Sequence, residues 1–93
     1  MNHSDKNFSR DISIVNELGL HARSAAKIAE IAKHAKSNIR IIKDEEDVDA
    51  KSIIDMLTLA CAKDSIITVR IDCHSDINIL NRITSLVENG FGE

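Results

Sequence analysis

Two hydrophobic periods alternate along this 93-residue chain, and no other feature narrows its fold so far. Ile12 and Ile14 alternate with Asp11 and Ser13, the period of a half-buried strand over 9–16. Ala25, Ile28, Ala29, Ile31, Ala32 and Ala35 then recur at helical spacing, which predicts a helix from about 22 to 36. Lys27, Glu30, Lys33 and His34 lie off that stripe, and His34 reads as a surface residue within i,i+4 reach of Glu30. A second strand is predicted over 38–43, with Ile39 and Ile41 on one face, and a short third strand over 48–50. The acidic run 44–47 between them reads as a solvated hairpin turn. Ser52 reads as an N-cap, with Asp55 as a weak capping-box partner, opening a short helix to about Leu59. The strand over 65–72 puts Ile67, Val69 and Ile71 on one face. Ser75 or Asp76 caps a last helix with the stripe Ile79, Leu80, Ile83, Leu86 and Val87, stopped by Gly90.

The order is therefore β-α-β-β-α-β-α. Helices with a single apolar stripe need a common partner, and amphipathic strands offer one apolar face. The expected architecture is a two-layer α/β open-faced sandwich in one domain, 1–93, with a solvated sheet face. Residues 1–7 are polar and read as a flexible tail.

With two Phe and neither Trp nor Tyr, the core must be built from Ile, Leu, Val and Ala. A net charge of −3 with no basic run argues against general nucleic-acid binding. No apolar run approaches a membrane span, and the first ten residues lack the apolar core of a signal peptide. A cytoplasmic chain is expected. Cys61 and Cys73 are too far apart for a CxxC pair. Cys73 and His74 are adjacent, so on a strand they would face opposite ways. Two free thiols in a reducing compartment are expected. The acidic run lacks the ligand pattern of a calcium loop, so no metal is expected.

Chemistry concentrates in Gly19-Leu20-His21-Ala22-Arg23-Ser24-Ala25-Ala26. Asn16 and Gly19 are turn residues, and helix formers begin at Ala22, so His21 falls at or beside the helix N-cap. There the first backbone N–H groups lack intrahelical partners and the helix dipole is positive. Such an end accepts anions, and its positive potential discourages protonation of an imidazole. A neutral imidazole nitrogen is a competent nucleophile. A phosphoryl group on it would face the N–H groups of Ala22 and Ser24 and the Arg23 guanidinium. On spacing alone the plainer reading is the more common one: a histidine that happens to cap a helix, followed by a solvated arginine.

Gly-Leu-His-Ala-Arg, a small residue and Ala-Ala resemble the active-site segment of the HPr family, the histidine phosphocarriers of the bacterial phosphotransferase system. A second match is Lys51-Ser52-Ile53-Ile54, Leu57, Leu59, Ala62-Lys63-Asp64 and the strand 66–69, which resembles the regulatory-serine segment of that family. The likeness runs from about Phe8 onward. It implies an antiparallel sheet of order 1-4-2-3 with three helices on one face. It also implies a phosphoryl carrier without turnover of its own and without a cofactor. His21 would take the group on Nδ1 from phosphorylated enzyme I and pass it to EIIA-type domains, with Arg23 stabilising the transferring group. Ser52 matches the regulatory serine, the substrate of an HPr kinase/phosphorylase. Leu20, Ile53, Ile54 and Leu57 cannot all be buried under one short helix, and an exposed docking patch among them is expected. A monomer is expected. Where relatives usually carry Pro after the arginine, this chain has Ser24, whose N–H and hydroxyl could donate to a phosphate or to the cap. Two other readings stand beside the leading one: the carrier of the nitrogen-related branch, and a regulatory binding module of the same fold that no longer transfers phosphate.

Overall fold

The structure, a computed structural model, describes residues 8–93. The expected tail over 1–7 lies outside the described residues. Four strands, β1 (Ser9–Ser13), β2 (Ile39–Lys43), β3 (Glu46–Asp49) and β4 (Ile66–Ile71), form one antiparallel sheet of order β1-β4-β2-β3. Three α-helices, α1 (Ala22–Ala32), α2 (Ile53–Leu57) and α3 (Ile77–Glu88), cover one face. Short 3-10 turns flank α3 at His74–Asp76 and Gly90–Gly92.

The core lies between sheet and helices, and the period-2 pattern places it there. Ile12 and Ile14 from β1 and its extension, Ile39 and Ile41 from β2, and Ile67, Val69 and Ile71 from β4 are all buried. They meet Ala25, Ile28 and Ala32 of α1 and Leu80, Ile83 and Val87 of α3. The small residues on α1 let that helix lie close to the sheet. Thr68, Arg70, Arg40 and Asp47 line the uncovered face. There Asp47 accepts from Arg40 Nε at 2.7 Å and from Arg70 Nη2 at 3.3 Å.

Two boundaries and one core residue differ from the sequence expectation. The β2–β3 turn uses only Asp44 and Glu45, both with positive φ (51° and 74°), and Lys43 pairs with Glu46. Two positive-φ residues make the tight turn that matches strand twist, so Glu46 and Asp47 join β3 instead of the turn. Helix α1 ends at Ala32, four residues short of the expected 36, and continues as tighter turns through His34 and Ala35. The chain is then caught by Asp76, whose buried carboxylate accepts the N–H groups of Lys36 (2.8 Å) and Ser37 (3.0 Å). Asp76 is one of the two expected caps of α3, with Ser75 the other. Asp76 stands at that position, but its side chain is spent on the end of α1 and makes no cap bond of its own. The third difference is Phe91, fully buried in the turn after Gly90, where no periodic pattern marks it as core.

No helix among the described residues is long and apolar enough to cross a membrane. Cys61 is buried and Cys73 exposed, and neither forms a disulfide.

Candidate functional site

The loop into α1 is closed by hydrogen bonds that leave little choice of path. Gly19 N–H donates to Asn16 O (3.1 Å), Asn16 Nδ2 donates to Gly19 O (2.8 Å), and Leu20 N–H donates to Cys61 O (2.8 Å). Gly19 has φ +69°, and a Cβ there would lie 2.4 Å from Cys61 O. Only glycine satisfies both demands. Leu20 is 6% exposed and belongs to the core. This corrects its assignment as a docking residue: the backbone bond to Cys61 turns its side chain inward.

His21 is the N-cap of α1, with extended backbone (φ −107°, ψ −177°). Its carbonyl accepts the first helical bond, from Ala25 N–H at 2.8 Å. Its Nδ1 accepts from the backbone N–H of Arg23 at 3.3 Å, one of the orphan donors of the first turn. Its Nε2 lies 2.5 Å from Oε2 of Glu93. The His21 side chain is 25% exposed. Two of its three neighbours in the expected cradle, Ala22 and Arg23, are exposed at the same end.

Ser24 sits differently. It is fully buried and completes a capping box with His21. Its Oγ accepts from His21 N–H at 2.8 Å and lies 3.1 Å from His21 O and 3.2 Å from Gly19 O, to either of which it can donate. The hydroxyl is therefore engaged with the cap and the loop and is not part of an outward-facing anion cradle. Of the two roles open to it in the sequence, the structure places it in the second.

Glu93 is the residue that sequence reasoning missed. It is 72 positions from His21, and no local pattern connects them. Its carboxylate also accepts from Asn16 Nδ2 at 3.0 Å. The Asn16 amide, then the His21 ring, with the charge of Arg23 adding, hold this carboxyl below its ordinary value near 4.5. Asn16 is itself buried, and its Oδ1 has no partner among the described residues.

Helix α2 presents Ile53, Ile54 and Leu57 outward, with Ile54 76% exposed, while Met56 goes to the core. Ser52 is its N-cap, accepting from Asp55 N–H at 3.1 Å. Val15 and Leu18 of the loop before His21 are also exposed. Among the described residues no group of three or more His, Cys, Asp or Glu could hold a metal ion.

The arrangement can act on an anion. One imidazole nitrogen faces the positive end of an eleven-residue helix, an arginine stands in the first turn, and a carboxylate fixes the far ring nitrogen. Known proteins share the fold and the family of this chain. The family model described as "PTS HPr component phosphorylation site" matches residues 8–89. A phosphocarrier protein HPr from Cupriavidus necator is 36% identical over 84 residues, covering 90% of this chain and 94% of the relative. One from Neisseria meningitidis is 34% identical over the same shares. Among solved structures, an HPr from Thermoanaerobacter tengcongensis superposes with a TM-score of 0.85 at 30% identity, covering 91% of this chain and 96% of that one. An HPr from Bacillus anthracis superposes with a TM-score of 0.78 at 29% identity, covering 85% and 94%.

Proposed function

This chain belongs to the HPr family of phosphocarriers, and from that premise we propose that His21 accepts a phosphoryl group on Nδ1 from phosphorylated enzyme I and delivers it to EIIA-type domains. The observation that carries the proposal is the orientation of the imidazole. Nδ1 faces the backbone N–H of Arg23, while Nε2 is occupied by Glu93. A phosphoryl group entering at Nδ1 would replace a single 3.3 Å hydrogen bond and meet the orphan donors of the first turn. Arg23 would neutralise part of the charge on the group in flight.

Docking falls to the exposed face of α2, through Ile53, Ile54 and Leu57, which packs beside α1. Modification of Ser52 by an HPr kinase would place about two negative charges at the start of that face and slow acceptance at His21. Asp55, one turn along and bonded to Ser52 through its N–H, opposes an incoming phosphate. The carrier works as a cytoplasmic monomer.

Incubation with phosphoenolpyruvate and enzyme I tests the reading. The chain should take up one phosphate, acid-labile and base-stable, and a His21→Ala variant should take up none. Arg23→Ala should fold but transfer slowly, losing about 2–4 kcal/mol of transition-state stabilisation. Full labelling of His21→Ala, or a wild type inert to every enzyme I, would refute it. The second result would favour the binding module instead.

A further inference from the structure

We infer that Glu93 is a positioning residue for His21: its carboxylate holds the ring proton on Nε2 through both halves of a phosphoryl transfer. The inference deepens the proposed function and rests on Nδ1 as the reacting atom.

The hydrogen-bond partners assign the tautomer. A carboxylate 2.5 Å from Nε2 calls for a hydrogen on that nitrogen. The Arg23 N–H pointing at Nδ1 calls for a lone pair there. Both contacts select the same form, in which the nucleophilic pair faces the helix end.

Glu93 is held in place independently of the histidine. Gly90 turns the chain out of α3 at φ +65°, and Phe91 anchors it in the core. Lys27 Nζ donates to Phe91 O at 2.6 Å, tying the segment to α1. Glu93 N–H donates to Gly90 O at 3.0 Å. Asn16 Nδ2 then fixes the second carboxylate oxygen at 3.0 Å and reaches Gly19 O at 2.8 Å in the loop that delivers His21. A carboxylate restrained on both oxygens restrains the ring it binds, as in carboxylate–histidine pairs elsewhere.

On acceptance, the donor's bond to phosphorus breaks and its electron pair leaves with the donor. The Nδ1 lone pair forms the new P–N bond. The His21 ring becomes cationic, with its hydrogen still on Nε2 and the negative Glu93 beside it. On delivery, the P–Nδ1 pair returns to Nδ1 and the ring leaves neutral. No proton enters or departs in either half. Without Glu93 the cationic ring can lose its Nε2 proton to water, and the group that must then leave is an imidazolate, a far poorer one.

The test uses the full chain with Glu93→Gln and Glu93→Ala. One readout is the His21 tautomer, from 15N shifts of the imidazole. The other is the rate of phosphorylation by phosphoramidate, a small P–N donor that needs no protein partner. Wild type should show hydrogen on Nε2. Glu93→Gln keeps an acceptor without charge, so it should retain the tautomer yet accept phosphate about tenfold more slowly. Glu93→Ala should lose both. A purely structural contact would be rescued by glutamine in both readouts. A wild-type His21 with hydrogen on Nδ1, or a Glu93→Gln rate within about twofold of wild type, overturns the inference. Labelling by phosphoramidate but by no enzyme I counts against the carrier reading alone, and the two readouts still judge Glu93.

Discussion

Gly19 and Cys61 are held face to face: the carbonyl of Cys61 accepts the N–H of Leu20, and it occupies the space a side chain at Gly19 would need. The loop that aims His21 is thereby pinned to the segment between α2 and β4. A Gly19→Ala change meets two penalties at once. The left-handed conformation costs about 1–2 kcal/mol for a residue with a Cβ. The 2.4 Å approach to a backbone oxygen forces the loop to move. The expected result is a loss of at least about 3 kcal/mol in urea unfolding, with His21 misplaced in whatever fraction folds. A loss under about 1 kcal/mol would mean the loop has another path.

The solvated sheet face carries its own pH dependence. The Arg40 guanidinium, bonded to Asp47, and then the charges of Arg40 and Arg70 hold the Asp47 carboxyl below its ordinary value near 3.8. A carboxyl lowered in the folded state stabilises it above the unfolded pKa, and that contribution disappears as pH falls through the folded value. Stability should therefore be insensitive to this group above about pH 5 and decline below about pH 4. Asp47→Asn should flatten that part of the acid-unfolding profile. The group is largely exposed, so the effect should shrink further in high salt.

The two thiols should behave oppositely. Burial pushes the Cys61 thiol up, and the Ser75 hydroxyl and N–H draw the exposed Cys73 thiol down. A thiol reagent at neutral pH should find one fast site, abolished in Cys73→Ser, and a second that reacts only on unfolding. Fast modification of Cys61 would show that the segment carrying it opens readily, because the residue is buried in the folded chain.

Legibility in the sequence follows the range of the interactions. Strands and helices with strong period, such as β4 and α3, depend on which side of a segment is apolar, and that is written locally. The same holds for His21 as an N-cap. Locally, Leu20 is a candidate for an exposed patch and Ser24 a donor to either a phosphate or the cap, and only a backbone bond from a distant segment and the completed capping box settle both as buried. Asp76 at the end of α1 and Glu93 on His21 join residues tens of positions apart, and no window of sequence contains both partners.

Ser24 offers the sharpest contrast between local propensity and packing. Local rules favour proline there: it is tolerated in the first turn, and it reduces unfolded-chain freedom by about 0.4–1 kcal/mol. By those rules Ser24→Pro should be modestly stabilising. The structure reverses the sign. Ser24 Oγ is the acceptor for His21 N–H at 2.8 Å, and the residue is fully buried. Proline removes that acceptor and strands the donor, at about 1–3 kcal/mol, and it dissolves the capping box. The stranded donor outweighs the stiffer chain, so Ser24→Pro should lose about 1 kcal/mol in stability. Nδ1 of His21 and the Arg23 guanidinium are untouched by the change, so the variant should still accept phosphate. Ser24→Ala separates the two effects: it removes the same acceptor without the gain in chain stiffness, and it should be less stable than Ser24→Pro by the proline contribution. Thermal unfolding of the three chains at one pH decides the order. A Ser24→Pro chain more stable than wild type would show that the capping box contributes less than the stiffness of the chain.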